Sequence, residues 1–145
     1  MFNFQTLEER QNFVKLVTTE IRNTVDKIEN MFLSRKKFHN VLQFKIVKLS
    51  KKFNLKGLCE YEINRPNKKR KERIDVVWLD DFKIIACFEI DSSLRCKSLL
   101  KLVSVDVPFR FWIYYGKKFF TDRIKKLISE NQIYVVKIEK NFLNY

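Results

Sequence analysis

The sequence predicts an α/β domain of three layers, with a mixed central sheet between helices. Three observations carry that expectation. Apolar residues recur at three- and four-residue spacing up to residue 53, the apolar period drops to two after Gly57, and later strand-like segments alternate with helical ones. At 145 residues the chain is the size of one domain, and a hydrophobic content of 46% supplies a core that excludes wholesale disorder.

Each element has its own justification. Phe13, Val17, Ile21, Val25, Ile28 and Phe32 form the stripe of an amphipathic helix over residues 7–32, with Thr6 and Glu9 spaced as a capping box. Phe38, Leu42, Ile46, Leu49 and Phe53 form a second helical stripe, ended by Asn54 and Gly57. Residues 1–54 thus make a helical N-terminal part, packed beside an α/β core over 57–145. Residues 58–63 read as a strand, 64–72 as a polar turn containing Pro66, and 73–79 as a second strand, broken by Asp80 and Asp81. Residues 82–90 are almost continuously apolar, as in a strand covered on both faces. Ser92 and Ser93 are placed to cap a helix over 94–104, and Pro108 precedes a strand over 109–115. A helix over 119–130 and a strand over 133–138 follow, so the order is ααβββαβαβ.

Composition narrows the chemistry. No apolar run is long enough to span a membrane, and the start Met-Phe-Asn-Phe-Gln-Thr has no basic segment leading into an apolar one, so neither a membrane span nor a secretory signal is expected. Two Gly and two Pro leave no Gly-rich phosphate loop. Cys59, Cys87 and Cys96 are odd in number and lack CxxC spacing; they read as small buried hydrophobes in a reducing, cytoplasmic setting. His39 is the single histidine, which closes off HExxH zinc chemistry, and it reads as a cap or helix-surface residue. Thirty Lys and Arg against 17 Asp and Glu leave +13, which points to a polyanionic partner, most often nucleic acid. The bland alternative is a coding bias toward Lys, Asn, Ile and Phe.

Catalysis is left to carboxylates and lysines. Strand alternation puts Asp75 on a side with Val77 and Leu79, and Glu89 and Asp91 on a side with Cys87 and Ile85. An acid within such apolar strands is costly unless a cation compensates it. A turn centred on Asp80 and Asp81 matches residue 75 to about 86, so Glu89 falls beyond the direct partner and the acids meet only if the strands splay. Three acids aimed at one spot would hold Mg2+ or Mn2+, and such a cation beside a basic surface points to phosphodiester hydrolysis. The competing reading pairs Asp75 with Arg73 or Arg110 and leaves Asp91 merely ahead of a helix.

The segment Arg73-Ile-Asp75-Val-Val-Trp, then Glu89-Ile-Asp91-Ser-Ser, a helix and the strand Phe-Arg-Phe-Trp-Ile-Tyr resembles the PD-(D/E)XK nuclease superfamily, which includes restriction endonucleases and archaeal Holliday-junction resolvases. The resemblance implies a restriction-endonuclease-like αβββαβ core over roughly residues 35–115 and a magnesium-dependent DNA endonuclease. Asp75 would match the metal-binding Asp, with Ile74 in place of the proline, and Glu89 the second metal ligand. Asp91 falls where the superfamily usually carries lysine. A carboxylate there can still bind metal, or it marks a descendant that binds nucleic acid without cutting it. Lys97 or Lys101 in the following helix would supply the missing cation. Glu60 or Glu62, with Glu62 preferred, would supply an upstream acid.

The run Lys68-Lys69-Arg70-Lys71-Glu72-Arg73 precedes the Asp75 strand, and Arg65, Lys117 and Lys118 lie at other strand ends. As phosphate contacts they would give salt-dependent affinity without base reading; as a solvated loop they would do nothing. The aromatics read as core, with Trp112, Tyr114 and Tyr115 as exceptions worth testing for base stacking. The long first helix also offers a face for a homodimer or another subunit.

Overall fold

The computed structural model describes residues 4, 6–29, 31, 33–65 and 68–139. Helix α1 (Leu7–Glu29) begins where Thr6 Oγ1 accepts from the Glu9 amide at 3.1 Å, and its stripe from Phe13 to Ile28 is buried. Phe32 and Pro66, assigned above to a helix end and a turn, lie outside the described residues. Helix α2 (Arg35–Leu49) is capped by Ser34, whose hydroxyl accepts from the Lys37 amide, and buries Phe38, Leu42, Ile46 and Leu49. A 3₁₀ turn over Ser50–Phe53 and Asn54, left-handed at φ 57°, then turn the chain into the sheet.

The remaining elements are β1 (Lys56–Ile63), β2 (Glu72–Asp80), β3 (Lys83–Asp91), α3 (Cys96–Val103), β4 (Phe109–Tyr114), α4 (Asp122–Glu130) and β5 (Ile133–Lys137). The sheet runs β1-β2-β3-β4-β5, antiparallel across its first three strands and parallel from β3 to β5. The predicted order of elements is observed. Two helix starts differ. Helix α3 begins at Cys96 with Arg95 in the cap position and no side-chain cap bond, and Ser92 is hydrogen-bonded to Tyr115. Helix α4 begins at Asp122, where Thr121 Oγ1 accepts from the Ile124 amide at 3.3 Å.

Helices α1 and α2 cover one face, packing on Val76, Trp78, Phe88, Phe109 and Phe111, while α3 and α4 cover the other, packing on Val77, Cys87, Trp112 and Tyr114. The N-terminal helical pair is therefore one of the three layers rather than an appendage. Buried Trp78 ties that layer down: its indole donates to the Ile46 carbonyl at 3.0 Å, an acceptor that the end of α2 leaves without a helical partner. Trp112, Tyr114 and Tyr115 are buried, which removes them as base-stacking groups. Of the cysteines Cys87 is buried, Cys96 half-buried and Cys59 exposed, so the reading of all three as core fails at Cys59, which lies on edge strand β1.

Close approach of β1 to α2 depends on Gly57, since a Cβ there would meet the Val47 carbonyl oxygen at 2.3 Å. Backbone atoms cannot yield as a side-chain tip can. Gly57→Ala is therefore expected to lower stability by about 1–3 kcal/mol in urea unfolding, the cost of overpacking a tight contact. An unchanged midpoint would show that β1 does not lie this close to the helix.

Candidate functional site

The register of β2 against β3 decides whether the two acids meet. The connecting turn lies at Asp81 and Phe82, with Asp81 at φ 53°, one position later than the sequence suggested. A bulge between Trp78 and Leu79 displaces the pairing further. Val76 is matched to Phe88, which brings Asp75 level with Glu89. The obstacle seen in strict hairpin counting is removed by the turn position and the bulge together. The same irregularity puts Ile85 in the layer of Ala86 and Phe88 and not with Cys87, as simple alternation had it.

A second irregularity lies at Asp75 itself. Ile74 packs in the α3–α4 layer, while Val76 and Trp78 pack in the α1–α2 layer, so β2 changes face at Asp75. Opposite, Glu60 in β1 is left-handed at φ 50°, and the ladder runs Cys59 to Val76 and Tyr61 to Ile74, skipping the pair between. Such strain in a non-glycine strand residue persists where the surroundings over-determine it. The result lets Asp75 meet groups from both helical layers.

Asp75 Oδ2 accepts from the Ile90 amide at 2.8 Å and lies 3.5 Å from His39 Nε2 on α2. The Asp75 amide donates to Glu89 Oε2 at 3.2 Å. Gln43 Nε2, one helical turn beyond His39, donates both to the Asp75 carbonyl at 2.9 Å and to Glu60 Oε1 at 2.8 Å. Glu89 is only 1% exposed, and its Oε1 pairs with the Lys101 ammonium from α3. Lys101 also donates to the Arg73 carbonyl at 2.9 Å. Asp91 Oδ2 accepts from the Trp112 indole at 2.7 Å, and the Ser98 side chain bonds it as well.

The electrostatics follow from burial and crowding. Burial pushes the Asp75 carboxyl up, but bonds from His39, Glu89 and the Ile90 amide outweigh it and hold the group below the usual carboxylate range. Burial pushes Glu89 well up, the Asp75 charge adds to this, and Lys101 offsets only part of it. Burial also raises Asp91, against the bonds from Trp112 and Ser98. Lys101 loses some basicity to burial, but Glu89, Asp75 and Asp91 more than restore it, so it stays an ammonium. The cluster thus gathers three carboxyl groups around one ammonium and one imidazole, with Asp75 held ionised and Glu89 and Asp91 pushed toward their neutral forms.

Of the residues singled out in the sequence, Asp75, Glu89 and Lys101 come together. Lys97 lines the cleft beside them, a space of about 660 Å³ bounded by residues 68–73, Glu60, Asp75, Lys97 and Lys101. Among the upstream acids it is Glu60 that faces this cleft; Glu62 sits in exposed pairs with Lys71 and Arg73, at 3.6 and 3.9 Å. Arg65 is held by Glu72 at 3.3 Å in a largely buried pair, so it is a structural ion pair and not a free phosphate contact. Lys68, Lys69, Arg70, Lys117 and Lys118 are exposed, all toward the end of the sheet that carries the acids. Neither of the two arginines weighed as partners holds Asp75: Arg110 donates to the Leu102 and Val105 carbonyls, and the Arg73 guanidinium pairs with Glu62. His39 and Gln43 were missed. The signal was their spacing of four on one helix face, next to a buried stripe.

Among the described residues no group of three or more His, Cys, Asp or Glu side chains is arranged as a cation cage. Three acids converging on one point is therefore not what the fold presents, because Asp91 is turned to Trp112. A two-carboxylate donor set still fits Mg2+, which binds through one or two carboxylates and keeps waters and phosphate oxygens for the rest. No family model, curated protein or solved structure matches this chain.

His39 being the single histidine, its proton NMR titration is unambiguous. The bond to Asp75 raises its pKa above 6.5. The stabilisation from this pair is therefore full below pH 6.5 and fades as pH rises through the raised value. Asp75→Asn is expected to bring the His39 midpoint back down, and an identical titration in that variant would show the two groups are not in contact.

Proposed function

We propose that this protein is a magnesium-dependent DNA endonuclease of the PD-(D/E)XK type, hydrolysing phosphodiester bonds. The observation that carries the reading is the pair Asp75 and Glu89, side by side at the sheet end, with Asp75 lining a cleft walled by Lys and Arg and Glu89 buried behind it. A buried pair of acids whose crowding pushes one toward its neutral form is a seat for a dication, whose charge favours ionisation of both, and a nearby basic wall suits a polyanion.

Asp75 and Glu89 would hold the metal, through hard carboxylate oxygens. When bound, the ion supplies a lowered water pKa and neutralises charge on the phosphate. The protein's own groups do the rest. Lys101, seated on Glu89, occupies the role that the lysine of the motif has elsewhere and compensates for Asp91 at that place in the sequence. His39 and the Ile90 amide fix the Asp75 carboxylate. Asp91, anchored by Trp112, braces the end of β3. Lys68, Lys69 and Arg70 grip phosphates without reading bases.

A second reading, binding without cleavage, is favoured by one observation: Lys101 already neutralises a Glu89 oxygen that a metal would use. One experiment separates the two. Wild-type protein is expected to nick supercoiled plasmid in magnesium or manganese buffer, Asp75→Ala to abolish this with DNA binding nearly unchanged, and Lys101→Met to slow it about a hundredfold or more, as loss of a preorganised charge does. Unchanged cleavage by Asp75→Ala removes the assignment. Tight DNA binding with no turnover in either metal leaves the second reading.

A further inference from the structure

Resting on the nucleic-acid reading above, we propose that Phe119 is a stacking platform for an unpaired base and that the substrate presents a single-stranded segment. Phe119 is 89% exposed, in the connection between β4 and α4. Its neighbours are not loose. Gly116 lies against the Ser92 carbonyl, so close that a Cβ would meet it at 2.4 Å. The Lys118 amide donates to the Tyr114 hydroxyl at 3.1 Å, and that hydroxyl donates back to the Lys118 carbonyl at 3.1 Å. Phe120 packs on Trp112 and Tyr114, at centroid distances of 5.4 and 5.3 Å. The segment is therefore anchored on both sides of Phe119, and it holds the ring out in water.

Charge gives the ring its partner. Lys117 and Lys118 precede it and are exposed, and the Lys137 ammonium lies over the ring, 5.7 Å from its centroid, and over that of Phe120 at 5.6 Å. A phenyl face accepts any base, while ammonium groups beside it draw the phosphates on either side. A duplex offers only base edges, its faces being stacked on one another, so an accessible base face means unpaired nucleic acid. The placement fits a strand passing the acids. Asp91 is matched to Tyr114 and Tyr114 to Lys137, which puts this loop at the same end of the sheet as Glu89. Two strand spacings, about 10 Å, separate β3 from β5, a distance that a few nucleotides of single strand cover.

Phe82 is an internal control. It is 100% exposed, but it sits in the β2–β3 turn at the opposite end of the sheet, beside Asp80 and Asp81. Fluorescence anisotropy in EDTA, with a labelled oligothymidylate of about twelve nucleotides and the matching abasic strand, reads the stacking without cleavage. Phe119→Ala is expected to weaken oligothymidylate binding about tenfold, to leave the abasic strand unaffected, and to leave the salt slope unchanged. Phe119→Trp should retain binding, Phe82→Ala should change nothing, and all three should melt like wild type. Equal oligothymidylate binding by Phe119→Ala and wild type, or an equal loss for both probes, overturns the inference. Wild type that binds neither probe and neither binds nor nicks plasmid ends the nucleic-acid reading as well, whereas plasmid cleavage by wild type with no oligothymidylate binding, or with Phe119→Ala binding unimpaired, ends only this one.

Discussion

The structure turns on a buried carboxylate. Glu89 sits near the end of the central strand β3, between Phe88 and Ile90, 1% exposed, with a second acid at its side. A charge in that position is tolerated only when paired and hydrogen-bonded. Lys101 reaches it from α3, and this demands that α3 pack with Leu99 and Leu102 inward so that residue 101 lies over the β2–β3 pair. His39 reaches Asp75 from α2, on the opposite layer. Both helical layers are therefore positioned by the same two acids, and the sheet end is where they can be.

Backbone irregularity makes the arrangement possible. The bulge at Trp78 and Leu79 sets the register that puts Asp75 beside Glu89, and the left-handed Glu60 breaks the β1 ladder opposite Asp75. A regular hairpin would have left the acids on non-adjacent pairs, each needing its own counter-charge. Bulges of this sort re-aim side chains and are frequent at sites of chemistry. Here they bring two negative groups together against their repulsion. Asp75 keeps its charge while Glu89 is pushed toward its neutral form, the division expected when one desolvated site holds two acids.

Much of the fold was legible because its periodicities are strong. The stripe from Phe13 to Ile28 and the apolar run of β3 fix element type and order with little help from tertiary context. The site was legible in part: Asp75 and Glu89 stand out as acids in strands that are otherwise apolar, and Lys101 as a cation at helical reach. Register was not legible, since a one-residue change of turn and a bulge leave no mark in hydrophobic pattern. The choice of Glu60 over Glu62 was closed to alternation for the same reason, residues two apart being equivalent until one adopts a left-handed backbone. Arg65 looked like a phosphate contact because sequence shows charge and not burial; its partner Glu72 is seven residues away, across the turn. Phe119, one of the aromatics that remain in water, was hidden among fourteen phenylalanines by having no periodicity of its own.

The proposed function depends on one exchange: a dication must displace the Lys101 ammonium from part of the Glu89 carboxylate. Anomalous diffraction from a crystal soaked in manganese measures this directly. The account predicts a single strong peak shared by Asp75 and Glu89, with Lys101 Nζ moved off Oε1 toward the cleft. Lys101 still seated on Glu89, with no manganese at either acid, would contradict it.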